Sequence, residues 1–343
     1  GGKRNRLVAS DKPDRNGAVG RSPFAMQQFT ESKDPVPGLI SVVIVNYNRC
    51  DDLREALSSV QRQGYRPVEI IVVDNNSRDG SRAMLAAEFP DVTVVALNEN
   101  IGMDGYSVGF RRAMGEFVFQ MDNDSLLPDA NVLGQIVRRF REGQQDLAVV
   151  AARVEEYRPE EHEVAVLRAK DSRTGPLDDG GFHSGGVAFR NELLRKVGYY
   201  NRDVFLYCSE LFLQMKFLAA GLRVFFYPEI LVLHKSSGVA RSTRGLYFEL
   251  RNRYWFMRRF ATSGQLVRYV PVMILHDVIY AMHKRAPVTF ISAFYEGFFK
   301  RPDSLKGRLV SPEPGFTSKV NELGNQFGLP ATFRRIRASL GGV

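Results

Sequence analysis

The first ordered pattern in the chain is a β-branched apolar run, Ile40-Ser41-Val42-Val43-Ile44-Val45, closed by the polar Asn46 and Asn48. A short run of this kind predicts a strand buried on both faces. Leu53, Ala56, Leu57 and Val60 then fall at helical spacing. They predict a helix from Asp51 to Gln63, with Gly64 just beyond to end it. The alternation continues with strand Val68–Val73 ending at Asp74, helix Ser81–Phe89 and strand Val92–Leu97. Helix Tyr106–Met114 and strand Phe117–Met121, ending at Asp122, complete the series. Strand and helix in turn at this spacing predict an α/β fold, a mostly parallel sheet with helices on both faces.

In such sheets ligands bind beyond the carboxyl ends of the strands. The polar residues of this chain cluster there. Asn46 and Asn48 follow the first strand, and Asp74-Asn75-Asn76-Ser77 the second. Asn98 and Asn100 follow the third, and Asp122-Asn123-Asp124 the fourth. One such cluster is ordinary turn chemistry, because Asn and Asp are favoured in loops. Four on one edge predict a site.

The site lacks the usual glycine-rich phosphate cradles. Asn46-Tyr47-Asn48-Arg49-Cys50 stands where a G-x-G-x-x-G loop would follow the first strand, and no G-x-x-x-x-G-K-[ST] occurs. A divalent cation held by carboxylates is the alternative, since Mn²⁺ and Mg²⁺ take oxygen ligands from a carboxylate or two and from the substrate's own phosphates. Asp122-Asn123-Asp124 fits that need. An isolated Asp-x-Asp is equally an Asx-turn closing a strand; its place directly after an apolar strand favours the metal.

These segments resemble, in order, the signatures of family 2 glycosyltransferases: Ser41–Asn48, Glu69–Ser81, Asn98-Glu99-Asn100-Ile101-Gly102 and Asp122-Asn123-Asp124. The likeness continues through Gly185–Arg190, Lys196-Val197-Gly198, Tyr227-Pro228-Glu229 and His234-Lys235, so it covers roughly residues 39–260. Within the family the chain is most similar to bacterial rhamnosyl- and galactofuranosyltransferases. The resemblance implies a GT-A fold and an inverting transfer without covalent intermediate, from a UDP- or dTDP-sugar to an acceptor hydroxyl, with Mn²⁺ or Mg²⁺. It places Asn46, Asn48, Asp74, Asn76, Asn100 and Asp122 about the nucleotide sugar, and Asp124 and His234 on the metal.

Inversion needs a base on the acceptor hydroxyl. By resemblance this is a carboxylate in a Glu-Asp pair at a helix start. The matching stretch here is Phe205-Leu206-Tyr207-Cys208-Ser209-Glu210-Leu211-Phe212. Glu210 inherits the role, with Ser209 in place of the other acid and Phe212 where a further Asp is usual. A helix cap for Ser209 and a dipole-favoured first-turn acid for Glu210 are the plainer readings. Asp178, Asp179 and His183 are reserve candidates. The loss of neighbouring acids keeps open a degenerate protein that binds the nucleotide sugar as a scaffold. A sugar nucleotidyltransferase fits less well, since it would want a Gly- and Arg-rich loop after the first strand.

Composition changes the picture mainly beyond residue 234. The 343 residues carry a net charge of +9, unevenly placed. Residues 39–234 hold 22 basic and 28 acidic side chains, residues 235–343 hold 18 and 6. A basic C-terminal third suggests an anionic partner or a solvated basic face. Arg251 and Arg253 are candidate diphosphate contacts, as guanidinium groups meet phosphate bidentately. Leu266–Met282 and Val288–Phe299 read as amphipathic helices for an anionic membrane surface, a homodimer interface or packing on the catalytic domain. The expected organisation is a basic arm (1–38), a catalytic domain (39–260, its nucleotide half 39–125 and acceptor half 126–260) and a basic helical region (261–343).

No run approaches the roughly 18–20 apolar residues of a membrane span. The polar, basic start is unlike a secretory signal, and the two cysteines, Cys50 and Cys208, suit a reducing compartment. The expected setting is a bacterial-like cytoplasm, with peripheral attachment to the inner membrane face left open. The expected partners are a nucleotide-sugar donor and a glycan, lipid-linked or small-molecule acceptor, not nucleic acid.

Overall fold

A computed structural model describes residues 34–157, 177–178, 181–235 and 242–326. Among the described residues nine strands form one sheet: β1 (Val36–Asn46), β2 (Val68–Asp74), β3 (Thr93–Ala96), β4 (Gly115–Asp122), β5 (Ser125–Leu126), β6 (Leu147–Tyr157), β7 (Leu177–Asp178), β8 (Val187–Arg190) and β9 (Arg223–Lys235). The order across it is β3-β2-β1-β4-β8-β6-β9-β5, with β7 added to β9. The first four strands are parallel, as the alternating pattern predicted. β8 then runs antiparallel to β4 and β6, while β6 and β9 pair in parallel.

The helices are α1 (Cys50–Gln61), α2 (Ser81–Glu88), α3 (Asp104–Arg112), α4 (Val132–Glu142), α5 (Asn191–Val197), α6 (Ser209–Ala219), α7 (Thr243–Phe260), α8 (Ser263–His283), α9 (Pro287–Phe299) and α10 (Pro314–Gln326). Strand β1 shows why the sheet is covered on both sides. Ile40, Val42 and Ile44 enter one hydrophobic cluster, with Leu53, Leu57, Met84 and Ile136 of α1, α2 and α4. Val43 points the other way, into a cluster with Phe110 of α3 and Leu213 of α6. Side-chain alternation along a strand thus divides one apolar run between two cores.

Two boundaries differ from the sequence reading. β1 begins at Val36, so the last residues assigned to the arm are already paired; Val36 donates its N–H to Met114 O. The rest of the arm lies outside the described residues. The C-terminal helices share the sheet's core: Tyr269, Val270 and Met273 of α8 and Phe316, Val320 and Leu323 of α10 belong to the same cluster as Val43. Apolar packing therefore runs without a break across residue 260.

The connection from β1 leads to β2 on one side, and that from β3 returns to β4 on the other. This reversal opens a crevice at the carboxyl ends of β1 and β4, the usual ligand position in such sheets.

Candidate active site in the β1–β4 crevice

Asp122 ends β4 opposite Val45 of β1, so the turn that follows projects into the crevice. Its Oδ1 accepts from the Tyr106 hydroxyl at 2.7 Å and its Oδ2 from Ser184 Oγ at 3.0 Å. Asp124 is reached by an imidazole and a guanidinium. His234 Nε2 lies 3.2 Å from its Oδ1, and an Arg49 guanidinium nitrogen 3.2 Å from its Oδ2. The pairing of β5 with β9 sets Ser125 opposite His234, which brings the imidazole from a distant segment to the Asp-x-Asp turn.

The charges respond accordingly. Burial alone would raise the Asp124 carboxyl, but the His234 hydrogen bond, with the His234 and Arg49 charges, outweighs it and holds the group below the usual carboxylate range. His234 is displaced upward, first by its hydrogen bond to Asp124, against the effect of burial. Ligand atoms of Asp122, Asp124 and His234 all lie within 4.8 Å of one another. Two carboxylates and an imidazole are a donor set that accepts Mn²⁺ or Mg²⁺. The imidazole and the guanidinium converge on opposite oxygens of the Asp124 carboxylate.

Glu210 stands in the first turn of α6, facing the same group. Burial pushes its carboxyl above the ordinary range and the Asp122 charge adds to this; backbone N–H bonding, His183 and a hydrogen bond with Ser184 oppose. The Ser184 hydroxyl itself donates to Asp122. His183 accepts from Gly185 N at 3.0 Å and stacks edge-on to His234. Of the other reserve candidates, Asp178 is described only in its backbone, and Asp179 lies outside the described residues.

Ser209 does not cap α6. Its hydroxyl donates to Val204 O at 3.0 Å, and the cap position is Cys208, with φ of 60°. Tyr207 before it has φ of 62°. Two successive side-chain-bearing residues in the left-handed region are strained and persist only when the surroundings hold them. Asn252 of α7 supplies that hold, donating Nδ2 to Leu206 O at 2.8 Å and to Tyr207 O at 3.0 Å. From the other side, Met103 N donates to Phe205 O at 2.9 Å. Gly102 permits this approach: its φ is +61°, and a Cβ there would lie 2.1 Å from Phe205 O. Phe212 is a core residue, packed edge-on to Phe256 and Phe260, so it offers α6 no second acid.

The predicted nucleotide-side residues converge, largely by bonding one another. Buried Asn46 donates to Ser77 Oγ and accepts from Asn123 Nδ2. Asn48, at φ 53°, accepts from Arg78 N at 2.7 Å, while its own N–H donates to Ser77 Oγ. Asp74 is fully buried; it accepts from Ser77 N at 2.7 Å and pairs with Arg82 Nε at 3.0 Å. Asn100 closes a turn on Gly102 N. Asn76 lies beside Asp74 at φ 66°, its N–H donating to Asp74 O. Arg49, Tyr106, Ser184 and Asn252 join the site unforeseen. Only the oddity of a hydroxyl on the apolar face of α3 hinted at Tyr106.

Arg251 and Arg253 are a correction. Both guanidinium groups are buried among protein partners instead of facing the crevice. Arg251 donates to Asp203 O and Asn252 Oδ1 and lies over the Trp255 ring at 3.9 Å. Arg253 pairs with Glu249, and with Asp277 at 3.2 Å. A guanidinium already desolvated and neutralised has little to offer a diphosphate.

Residues 41–198 match the family model described as Glycosyl transferase family 2. This stretch is a family 2 glycosyl transferase domain. The chain is 34% identical over 110 residues to a GalNAc(5)-diNAcBac-PP-undecaprenol beta-1,3-glucosyltransferase of Campylobacter jejuni, 30% of this chain and 35% of that protein. Matches to the first curated relatives span 28% to 37% of those proteins' own length. Among solved structures, the mannosyltransferase PcManGT from Pyrobaculum calidifontis, in complex with GDP-Man and Mn²⁺, aligns with TM-score 0.51 at 20% identity, over 87% of this chain and 84% of that one. TarS of S. aureus in complex with UDP-GlcNAc aligns with TM-score 0.53 at 14% identity, over 86% and 91%. The family 2 domain has the GT-A fold, and the described C-terminal helices extend its core.

Proposed function

We propose that the chain transfers a sugar from a nucleoside-diphosphate donor to an acceptor hydroxyl with inversion, Glu210 acting as base. The observation that carries this reading is the cluster of Asp122, Asp124 and His234 in the crevice, with Glu210 at the start of α6 near enough for the Asp122 charge to act on its carboxyl. Asp122, Asp124 and His234 would hold the divalent ion, which when bound offsets the charge of the leaving diphosphate. Asn46, Asn123 and Ser77 keep the strand ends in register, and Tyr106 fixes the Asp122 carboxylate through its hydroxyl. With its pKa raised, the Glu210 carboxylate is a stronger base for the alcohol proton released as the bond to the anomeric carbon forms. The neighbours' complexes with GDP-Man and UDP-GlcNAc support a nucleotide sugar as donor.

Titration with UDP, dTDP and GDP, with and without Mn²⁺, followed by donor hydrolysis, tests the reading. Metal-dependent binding of one nucleotide with turnover of its sugar is the expected result. Binding without turnover across donors and acceptors would transfer the chain to a scaffold role, and no metal-dependent binding would overturn the reading outright.

A further inference from the structure

The first two C-terminal helices after residue 260 leave an unusual surface. On α8, Val267, Pro271, Leu275 and Met282 are exposed; on α9, Val288, Ile291, Tyr295 and Phe299 are. The spacings of three, four, seven and eight residues put each set on one helix face. Val267 and Val288 are each 77% exposed. The two helices pack against each other, and α9 turns Ala293, Gly297 and Phe290, Phe294 and Phe298 toward the protein, which leaves the other large side chains facing outward. A patch of such extent on a water-facing surface marks an interaction site.

Its charge is one-sided. Between Ser263 and Arg301 the chain has two acids, Asp277 and Glu296. Asp277 is wholly buried, bound by Arg253, Tyr254 and His276. Glu296 is held by Tyr247 and lies 3.6 Å from Arg251. Arg268, Lys284, Arg285 and Lys300 are exposed. Beside them a groove of about 640 Å³ is walled by Leu266, Val267, Val270, Pro271 and Phe298, with Arg258, Arg301 and Arg308 among its lining. These guanidinium groups donate to oxygens of Gly297, Lys300, Gly307 and Ser263, none of them a carboxylate. Burial and the nearby Arg301 charge lower Arg258 and its neighbour Arg259, a sign of crowded cations.

We propose that the α8–α9 hairpin docks on an anionic membrane leaflet, with the groove taking the phosphate and upper acyl chain of one anionic phospholipid. The apolar stripes sit at the headgroup boundary and the cations meet lipid phosphate, the arrangement of an interfacial helix pair. Neither helix is long and apolar enough to cross a membrane, so the hairpin lies on the leaflet. A second copy of the chain is disfavoured as occupant, because a symmetric contact would set these cations against one another. Val267 and Pro271 belong both to the exposed stripe and to the groove, which makes the two one surface. The proposal does not depend on sugar transfer.

Flotation of the full chain with phosphatidylcholine vesicles, with and without phosphatidylglycerol, tests it in the absence of any donor. Binding is expected to the mixed vesicles, weakly to the neutral ones, and to fall with added salt. The double variant Arg301→Glu/Arg308→Glu and, separately, Ile291→Asp should each weaken binding roughly tenfold or more at an unchanged melting temperature. Equal binding to both vesicles, or none to either, overturns the proposal. So does a concentration-dependent dimer in sedimentation that Ile291→Asp dissolves while vesicles fail to bind.

Discussion

The two sides of the crevice are held in place by different means. On the nucleotide side, Asn46, Asn48, Asp74, Ser77 and Asn123 bond one another across the ends of adjacent parallel strands. Each is a short side chain at a strand end, reaching the turn of its neighbour or, for Asp74, its own. On the Glu210 side, two left-handed residues are held from outside, by Asn252 on α7 and by the Gly102 loop after β3. The nucleotide side is assembled between neighbouring strand ends and the Glu210 side by bracing from a helix and a loop outside it. Changes on the first should therefore act on donor binding, and changes to the brace on turnover.

The largest separation of the two comes from the ends of the mechanism. Glu210→Gln is expected to lower kcat by roughly 10²–10⁴-fold while leaving metal-dependent nucleotide binding intact, measured by turnover and calorimetry side by side. Unchanged turnover would move the base elsewhere. Asp124→Ala should do the reverse, weakening metal-dependent binding by roughly 100-fold, since even supporting groups around a metal are worth 10–100-fold.

The bracing is tested next. In Gly102→Ala a Cβ must displace the Phe205 carbonyl at an unfavourable φ, which should cost about 1–3 kcal/mol of stability. Asn252→Ala leaves two carbonyls without their donor, at a similar cost of about 1–3 kcal/mol. Denaturant titration measures both. In each, kcat should fall with nucleotide affinity unchanged; equal loss of both would mean that the brace supports the whole crevice, erasing the contrast.

The smallest effect is in pH. Because the Glu210 pKa is raised by folding, the stability linked to it is full below the unfolded value of about 4.5 and is lost as pH rises through the folded value. Glu210→Gln should accordingly raise the melting temperature at neutral pH and not below that of a free carboxylate. Turnover of the unsubstituted chain should lose its acid limb at a pH above the ordinary carboxylate range.

Much of the nucleotide side was legible beforehand because its chemistry is local. Short apolar runs predict β1, β2 and β4 within a few residues, and polar side chains at their ends predict one edge. What periodicity does not carry is whether those side chains remain open to a ligand, and the structure shows Asn46 engaged on both amide atoms. Arg251 and Arg253 failed for a related reason. Residue type suggests phosphate, while burial against Glu249, Asp277 and Trp255 decides that they brace α7.

The sequence by itself determined the alternating α/β frame, the Asp-x-Asp turn and the strand edge where the polar residues gather, because each follows from spacing within one element and its loop. The tertiary structure alone decided that His234 meets Asp124 through β9 pairing with β5, that Ser184 and Tyr106 both hold Asp122, and that Asn252 holds the strained approach to α6. Those contacts join segments far apart in the chain, and only the order of strands across the sheet and the packing of α7 bring them within hydrogen-bonding distance.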